Sequence, residues 1–176
     1  MKTLTLLRHA KSGWDNPVLR DFDRPLNARG RKAARAMGRE MRRLGLGFDL
    51  ILASPAARVT ETLTELAQGY GGAVRTRFDE SLYLAPPEIL LALVRAADDA
   101  EARLLVVGHN PGMEQLALLL SEAGALRDQI AVKYPTAALA EIGFAVAHWR
   151  DVAPGEGRLA RFIRPRELAE GLGPDD

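Results

Sequence analysis

The chain has 176 residues, of which 47% are hydrophobic and 27% charged, a composition that fits one ordinary globular domain and excludes a disordered or fibrous chain. Its 24 Lys+Arg against 23 Asp+Glu leave a net charge of +1, which argues against broad attachment to nucleic acid or to a membrane surface, so positive charge must act locally. The absence of cysteine excludes disulfides, thiolate metal sites and a cysteine nucleophile; no apolar run is long enough for a signal peptide or a bilayer span, and a cytoplasmic location is expected.

The run from Thr3 to Leu7 is short and apolar and is followed by Arg8-His9 and then Gly13, Asn16 and Pro17, the pattern of a buried strand entering a loop. Asn27 is placed to cap a helix over Ala28 to Leu44, in which Ala33, Met37 and Met41 recur at intervals of four between arginines. Gly45 and Gly47 stop that helix, and Asp49 to Ala53 gives a second short strand. Ser54-Pro55 reads as the cap and first turn of a further helix that passes through Arg58 and Thr62 to about Tyr70, where Gly71-Gly72 ends it.

Val74 to Phe78 reads as a third strand, followed by an irregular stretch from Glu80 to Pro87 and a helix from about Glu88 to Ala97. Arg103 to Gly108 (RLLVVG) has the strongest strand pattern, and Asn110-Pro111 opens a helix through Leu116 to Leu120. Leu139 to Phe144 and Leu159 to Ile163 alternate in polarity and suit strands nearer a sheet edge, while Gly171 to Asp176 reads as a frayed tail. Strands alternating with helices predict a three-layer α/β/α sandwich with a mainly parallel central sheet. A single domain is expected over residues 1–176, with ligands near the carboxyl ends of the strands.

Arg8-His9 follows the first strand, Arg58 lies in the first turn of the helix after the second, and His109 follows the RLLVVG strand. In a parallel sheet these points share one rim. Two arginines, two histidines and the free N–H groups of helix starts make a pocket suited to a phosphoryl group, because guanidinium forks match phosphate oxygens bidentately. An imidazole among such cations is pushed toward its neutral form and then has a lone pair for phosphorus, so His9 is placed for transient phosphorylation. Nothing in this scheme requires a metal or a cofactor.

With those residues in view, LLRHAKSGW resembles the Arg-His-Gly signature of the histidine phosphatase superfamily in its phosphoglycerate-mutase-like branch. ASPAARVTETL is similar to that family's Ser-Pro-x-x-Arg-x-x-x-Thr segment, VVGHNPGMEQL to its second-histidine segment, and RPLNARG to the element that opens its first helix. The string DFDRPLNARG and the lack of an inserted subdomain resemble the short SixA-type phosphohistidine phosphatases.

The resemblance implies a phosphoglycerate-mutase-like fold with His9 as nucleophile, and Arg8, Arg58 and His109 binding phosphoryl oxygens. It places Ser12 where a family residue contacts phosphate, adds the backbone N–H of Asn110 as a further donor, and makes Glu80 the positional candidate for a proton donor. Two positions depart from the pattern: Ala10 replaces a glycine, and Asp15 stands where many relatives have asparagine.

The leading expectation is therefore a phosphatase working through phospho-His9, with a phosphohistidine-bearing protein as substrate. Its rivals are a phosphatase of small phosphate monoesters using Glu80 as acid, and a non-catalytic module that binds phosphate or a phosphoprotein. Phe78 to Arg103 leaves room for a loop and one helix but not for a capping insertion, which favours an open site able to admit a side chain of another protein. His148 has no motif partner and reads as a packed or hydrogen-bonded surface residue. The cluster Arg29, Arg31, Lys32, Arg35, Arg39, Arg42 and Arg43 reads first as a solvated helix face.

Overall fold

In a computed structural model, which describes residues 1–168 and Leu172, six strands form one sheet. They are β1 (Lys2–Arg8), β2 (Leu50–Ala53), β3 (Thr76–Phe78), β4 (Arg103–Gly108), β5 (Leu139–Phe144) and β6 (Arg158–Ile163). The order across the sheet is β3-β2-β4-β1-β5-β6. The first four strands run parallel, β5 runs antiparallel to β1, and β6 runs antiparallel to β5. The strand stretches are close to those expected, and the two late strands lie toward one side of the sheet as their alternation suggests: β5 sits between β1 and β6, β6 forms that edge, and β3 forms the opposite one.

The helices are α1 (Ala28–Arg43), α2 (Ala57–Tyr70), α3 (Pro87–Arg95), α4 (Gly112–Leu120) and α5 (Ala125–Val132). Alternate side chains of the strands divide between two cores, as the period of two requires. Leu7, Ile51, Ala53, Leu105 and Val107 pack with Met37 and Met41 of α1 and Val59 and Leu66 of α2. Leu4, Leu6, Leu52, Leu104 and Val106 pack with Leu90 and Val94 of α3, Met113, Leu116 and Leu120 of α4 and Ile130 of α5. The result is the three-layer sandwich with helices on both faces of a mostly parallel sheet.

α1 begins where its sequence signal places it, with the Asn27 side chain accepting a bond from the Gly30 N–H at 2.8 Å. At Gly30 a Cβ would run into the backbone of Lys11, so only glycine lets α1 approach the loop that follows β1. Gly38 and Gly69 allow the same close approach between α1 and α2. α5 has no counterpart in the predicted elements, because its short stretch carries no capping signal and Gly124 precedes it. The frayed tail expected over 171–176 lies outside the described residues except for Leu172, which is buried in a small cluster with Ala33 and Ala36 of α1.

Candidate active site

The carboxyl ends of β1, β2 and β4 lie side by side, with Arg8 opposite Gly108 and Ala53 opposite Val107. The chain leaves all three strands on the same rim, and the residues just beyond them close on one another. A pocket of about 380 Å³ on this rim is lined by Arg8, His9, Ser12, Arg58, His109 and Asn110, together with Lys11, Trp14, Asp21, Arg24, Leu84 and Thr136.

His9 is 7% exposed, and its Nδ1 lies 2.7 Å from the carbonyl oxygen of Ala10. A carbonyl oxygen can only accept, so Nδ1 carries the proton and Nε2 carries the lone pair. Arg58 Nε donates to that Nε2 at 3.3 Å, and the His109 ring centroid is 5.3 Å away. Burial lowers the His9 pKa to about 3; His109, Arg58 and Arg8 push it the same way against the opposing hydrogen bond to Ala10. The imidazole is therefore neutral in ordinary conditions, with the lone pair on Nε2 facing a guanidinium.

His109 is buried and held by Ser54 Oγ, 2.7 Å from its Nε2, while its Nδ1 is buried without a hydrogen-bond partner. A buried polar atom left open beside a pocket is a group that a ligand can complete. Burial and then Arg58 lower the His109 pKa to about 4, with Asp21 pulling the other way. Ser54 thus serves the second histidine rather than capping α2, whose N-cap is Ala56 with no side-chain bond. The expected Ser54-Pro55 cap gives way because Ser54 bonds across the sheet instead.

Backbone hubs fix the two elements that carry charge. The Tyr134 carbonyl accepts from Arg8 Nη1 at 2.9 Å and from Asn110 Nδ2 at 3.0 Å. Ala137, at φ 59°, sends its N–H to the carbonyls of both Arg8 and His9. Thr62 Oγ1 donates to the Arg58 carbonyl at 2.6 Å and accepts from the Ala10 N–H at 2.9 Å, stitching the β1 loop to α2. Thr62→Val leaves that buried N–H unpaired and is expected to cost about 1–3 kcal/mol of stability in chemical denaturation, with a fall in activity from the loosened loop. Ala10 itself is fully buried and does not have a positive φ, so replacing the signature glycine with alanine puts no backbone strain here.

The residue that sequence reasoning missed is Asp21. It accepts from Arg58 Nη2 at 3.0 Å through Oδ2, from Arg24 Nε at 3.1 Å through Oδ1, and from the Tyr83 hydroxyl, while its carbonyl accepts from Arg58 Nη1 at 2.7 Å. Burial alone would raise its pKa, but Tyr83 and the two guanidinium groups outweigh that and hold it at about 2. Asp21 and Arg24 both sit in the DFDRPLNARG string, so an acid three residues before a base was visible. Its long-range pairing with Arg58 was not.

Two sequence candidates fall outside the lining residues. Glu80 is exposed on a short 3-10 turn, Glu80–Leu82, and Asp15 is exposed on the loop after Gly13, so neither brings a carboxylate to the pocket wall. His148 pairs with Asp99 at 2.8 Å on the exposed surface. Of the basic helix face, Arg31, Arg35 and Arg43 are paired with Glu61, Glu65 and Glu40. Among the described residues no three of histidine, aspartate and glutamate are grouped to hold a metal ion, and no helix is long and apolar enough to cross a membrane.

The two buried histidines link folding to pH. With folded values near 3 and 4 against an ordinary 6.5, the unfolded state binds more protons between those limits, so stability rises with pH there and levels off above about 6.5. Unfolding at about pH 5 is expected to take up about two protons from this pair, a slope near 2.7 kcal/mol per pH unit. His9→Ala should remove about one of them; denaturation curves across pH 4 to 7 that show no difference in slope would rule out the buried neutral imidazole.

A family model described as the histidine phosphatase superfamily (branch 1) matches residues 4–83. An uncharacterised protein of Mycobacterium tuberculosis strain H37Rv is 35% identical over 164 residues, spanning 91% of this chain and all of the relative. A solved structure from Agrobacterium tumefaciens, provisionally assigned as the phosphohistidine phosphatase SixA, is 31% identical and superimposes with a TM-score of 0.77. That superposition covers 93% of this chain and 98% of the other. A similarly assigned structure from Nakamurella is 28% identical, with a TM-score of 0.80 over 93% of this chain and 96% of its own.

Proposed function

The chain belongs to the histidine phosphatase superfamily and is a phosphatase by that membership; we propose that it hydrolyses phosphohistidine borne on a protein, through a phosphoryl group carried briefly by His9. The observation that carries the substrate choice is the state of Asp21. It is the one carboxylate among the described lining residues, and it is held ionised by Arg58, Arg24 and Tyr83. A carboxylate fixed in that form cannot protonate a leaving group.

The chemistry of the leaving group then decides between substrates. An alkoxide leaving a phosphate monoester needs a proton in the transition state. An imidazole leaving a phosphohistidine does not, because the ring can already carry a proton on its other nitrogen and depart neutral. In the first step the Nε2 lone pair of His9 forms a bond to phosphorus as the substrate's P–N bond breaks, and that electron pair returns to the leaving ring. The bond made and the bond broken are of one kind, so the transfer is close to thermoneutral.

Arg8, Arg58 and the open Nδ1 of His109 take the phosphoryl oxygens, where bidentate charge-assisted bonds hold charge that spreads during transfer. Ser54 Oγ already accepts from the Ala56 N–H; in the tautomer in which its hydroxyl donates to Nε2 of His109, Nδ1 carries the proton and faces the oxygens as a donor. Ser12 and the backbone N–H of Asn110 complete the cradle. In the second step a water oxygen attacks phosphorus, the bond to Nε2 breaks, its electron pair returns to His9, and both water protons end on inorganic phosphate.

The test compares phosphohistidine with an alkyl phosphate in wild type and in Glu80→Gln. Wild type is expected to prefer the P–N substrate, and Glu80→Gln to keep its turnover of that substrate within about twofold, as for an exposed residue outside the pocket lining. A large loss on both substrates would make Glu80 an essential acid and replace the phosphohistidine reading with that of a small phosphate monoester.

A further inference from the structure

Beyond the phosphate cradle, the mouth of the pocket exposes two large apolar side chains. Trp14 lines the pocket and is 73% exposed, while one face of its indole is covered by Arg24, whose guanidinium carbon lies 3.3 Å from the ring centroid. Arg24 is itself buried, and Asp21 anchors it through Nε and Nη2. The indole is therefore propped from one side by a fixed cation, an arrangement that holds an exposed ring in one place and leaves its second face open.

Two further observations point to a ligand at this mouth. Arg24 Nη1 is buried without a hydrogen-bond partner. Leu84 lines the same pocket, is 53% exposed, and holds φ at 51°, a left-handed conformation that a bulky residue rarely keeps. Such backbone outliers gather at ligand clamps and active sites. An exposed indole and an exposed leucine gain nothing from water, and both gain from covering a flat apolar surface.

We infer that Trp14 and Leu84 form a subsite for a planar ring bonded to the phosphoryl group that His9 attacks. The inference rests on the phosphatase reading above and deepens it. With the phosphoryl group between Arg8, Arg58 and His109, the leaving ring lies against the open face of Trp14. An imidazole protonated at its far nitrogen is both flat and cationic, and so suits an indole face twice over. Arg24 positions the indole and has no part in the bond-making steps.

The chain reports on this subsite directly, since it has two tryptophans and the other, Trp149, is fully buried. Phosphohistidine and phosphoramidate share the P–N bond and differ in the ring. Phosphohistidine is expected to change Trp14 emission in His9→Ala protein, and phosphoramidate to leave it near that of the free protein. Trp14→Ala should lower kcat/KM roughly tenfold more for phosphohistidine than for phosphoramidate, mostly through KM, and Trp14→Phe should restore the difference.

Equal losses on the two substrates, or emission indifferent to phosphohistidine, would overturn the subsite. A wild-type enzyme inactive on both P–N compounds would instead overturn the phosphohistidine reading. The ring preference is then read from phenyl phosphate against methyl phosphate, where Trp14→Ala must still penalise phenyl phosphate more, or the subsite falls too.

Discussion

His9→Ala is expected to lower kcat/KM by about 10⁵-fold and to abolish the acid-labile phosphoryl group that wild type carries when quenched during turnover. The size of the loss follows from the geometry. Its Nδ1 is committed to the Ala10 carbonyl, and its Nε2 keeps its lone pair inside the pocket, met only by a long 3.3 Å bond from Arg58 Nε. The other pocket imidazole, His109, is tied through Nε2 to Ser54 and leaves only Nδ1 to face a ligand. Water attacking directly must then do without the covalent intermediate, while the arginine cradle remains. Because His9 is neutral in the folded protein, its removal strands no buried charge, and the variant should unfold cooperatively. Mass spectrometry that finds no phosphoryl group on His9 in wild type, together with full activity in His9→Ala, would sink the mechanism.

Arg58→Ala carries the second large effect, a fall in kcat of about 10³- to 10⁵-fold, the range seen when an arginine that stabilises phosphoryl transfer is lost. Arg58 is buried, and its guanidinium divides its donors among the His9 lone pair, the Asp21 carboxylate and the Asp21 carbonyl. A lysine offers one compact ammonium on a flexible stem and cannot match that fork, so Arg58→Lys should recover little. Asp21 keeps Arg24 and Tyr83 when Arg58 is gone, so its carboxylate remains compensated and the fold is expected to survive. Near-normal turnover in a folded Arg58→Ala protein would remove this residue from the site.

These two residues also mark how far the sequence could be read. Arg8-His9 closing an apolar strand, Arg58 early in the next helix and His109 after RLLVVG are local patterns, and each depends on strand-to-helix junctions that hydrophobic periodicity reveals. The α1 cap at Asn27 and the glycine at position 30 are legible for the same reason, since the physics that needs them acts over a few residues. Asp21 was not legible as a site residue, because nothing nearby in the chain announces that its carboxylate will meet an arginine on α2. Glu80 shows the converse. Its place in the family pattern made it a candidate acid, yet it stands exposed on a turn and is not among the lining residues.

The sequence by itself determined the layered α/β architecture and which arginines and histidines meet at the strand ends, because periodic burial, caps and strand-end motifs are set by neighbours along the chain. Only the tertiary structure decided what state those groups are in. The proton position on His9 follows from one carbonyl folded against its ring, the open nitrogen of His109 from Ser54 on another strand end, and the ionised Asp21 from two arginines and a tyrosine converging on it. Electrostatics and burial sum over whatever lies within a few ångströms, whichever part of the chain it comes from, so the state of each group became readable only with the strand ends side by side.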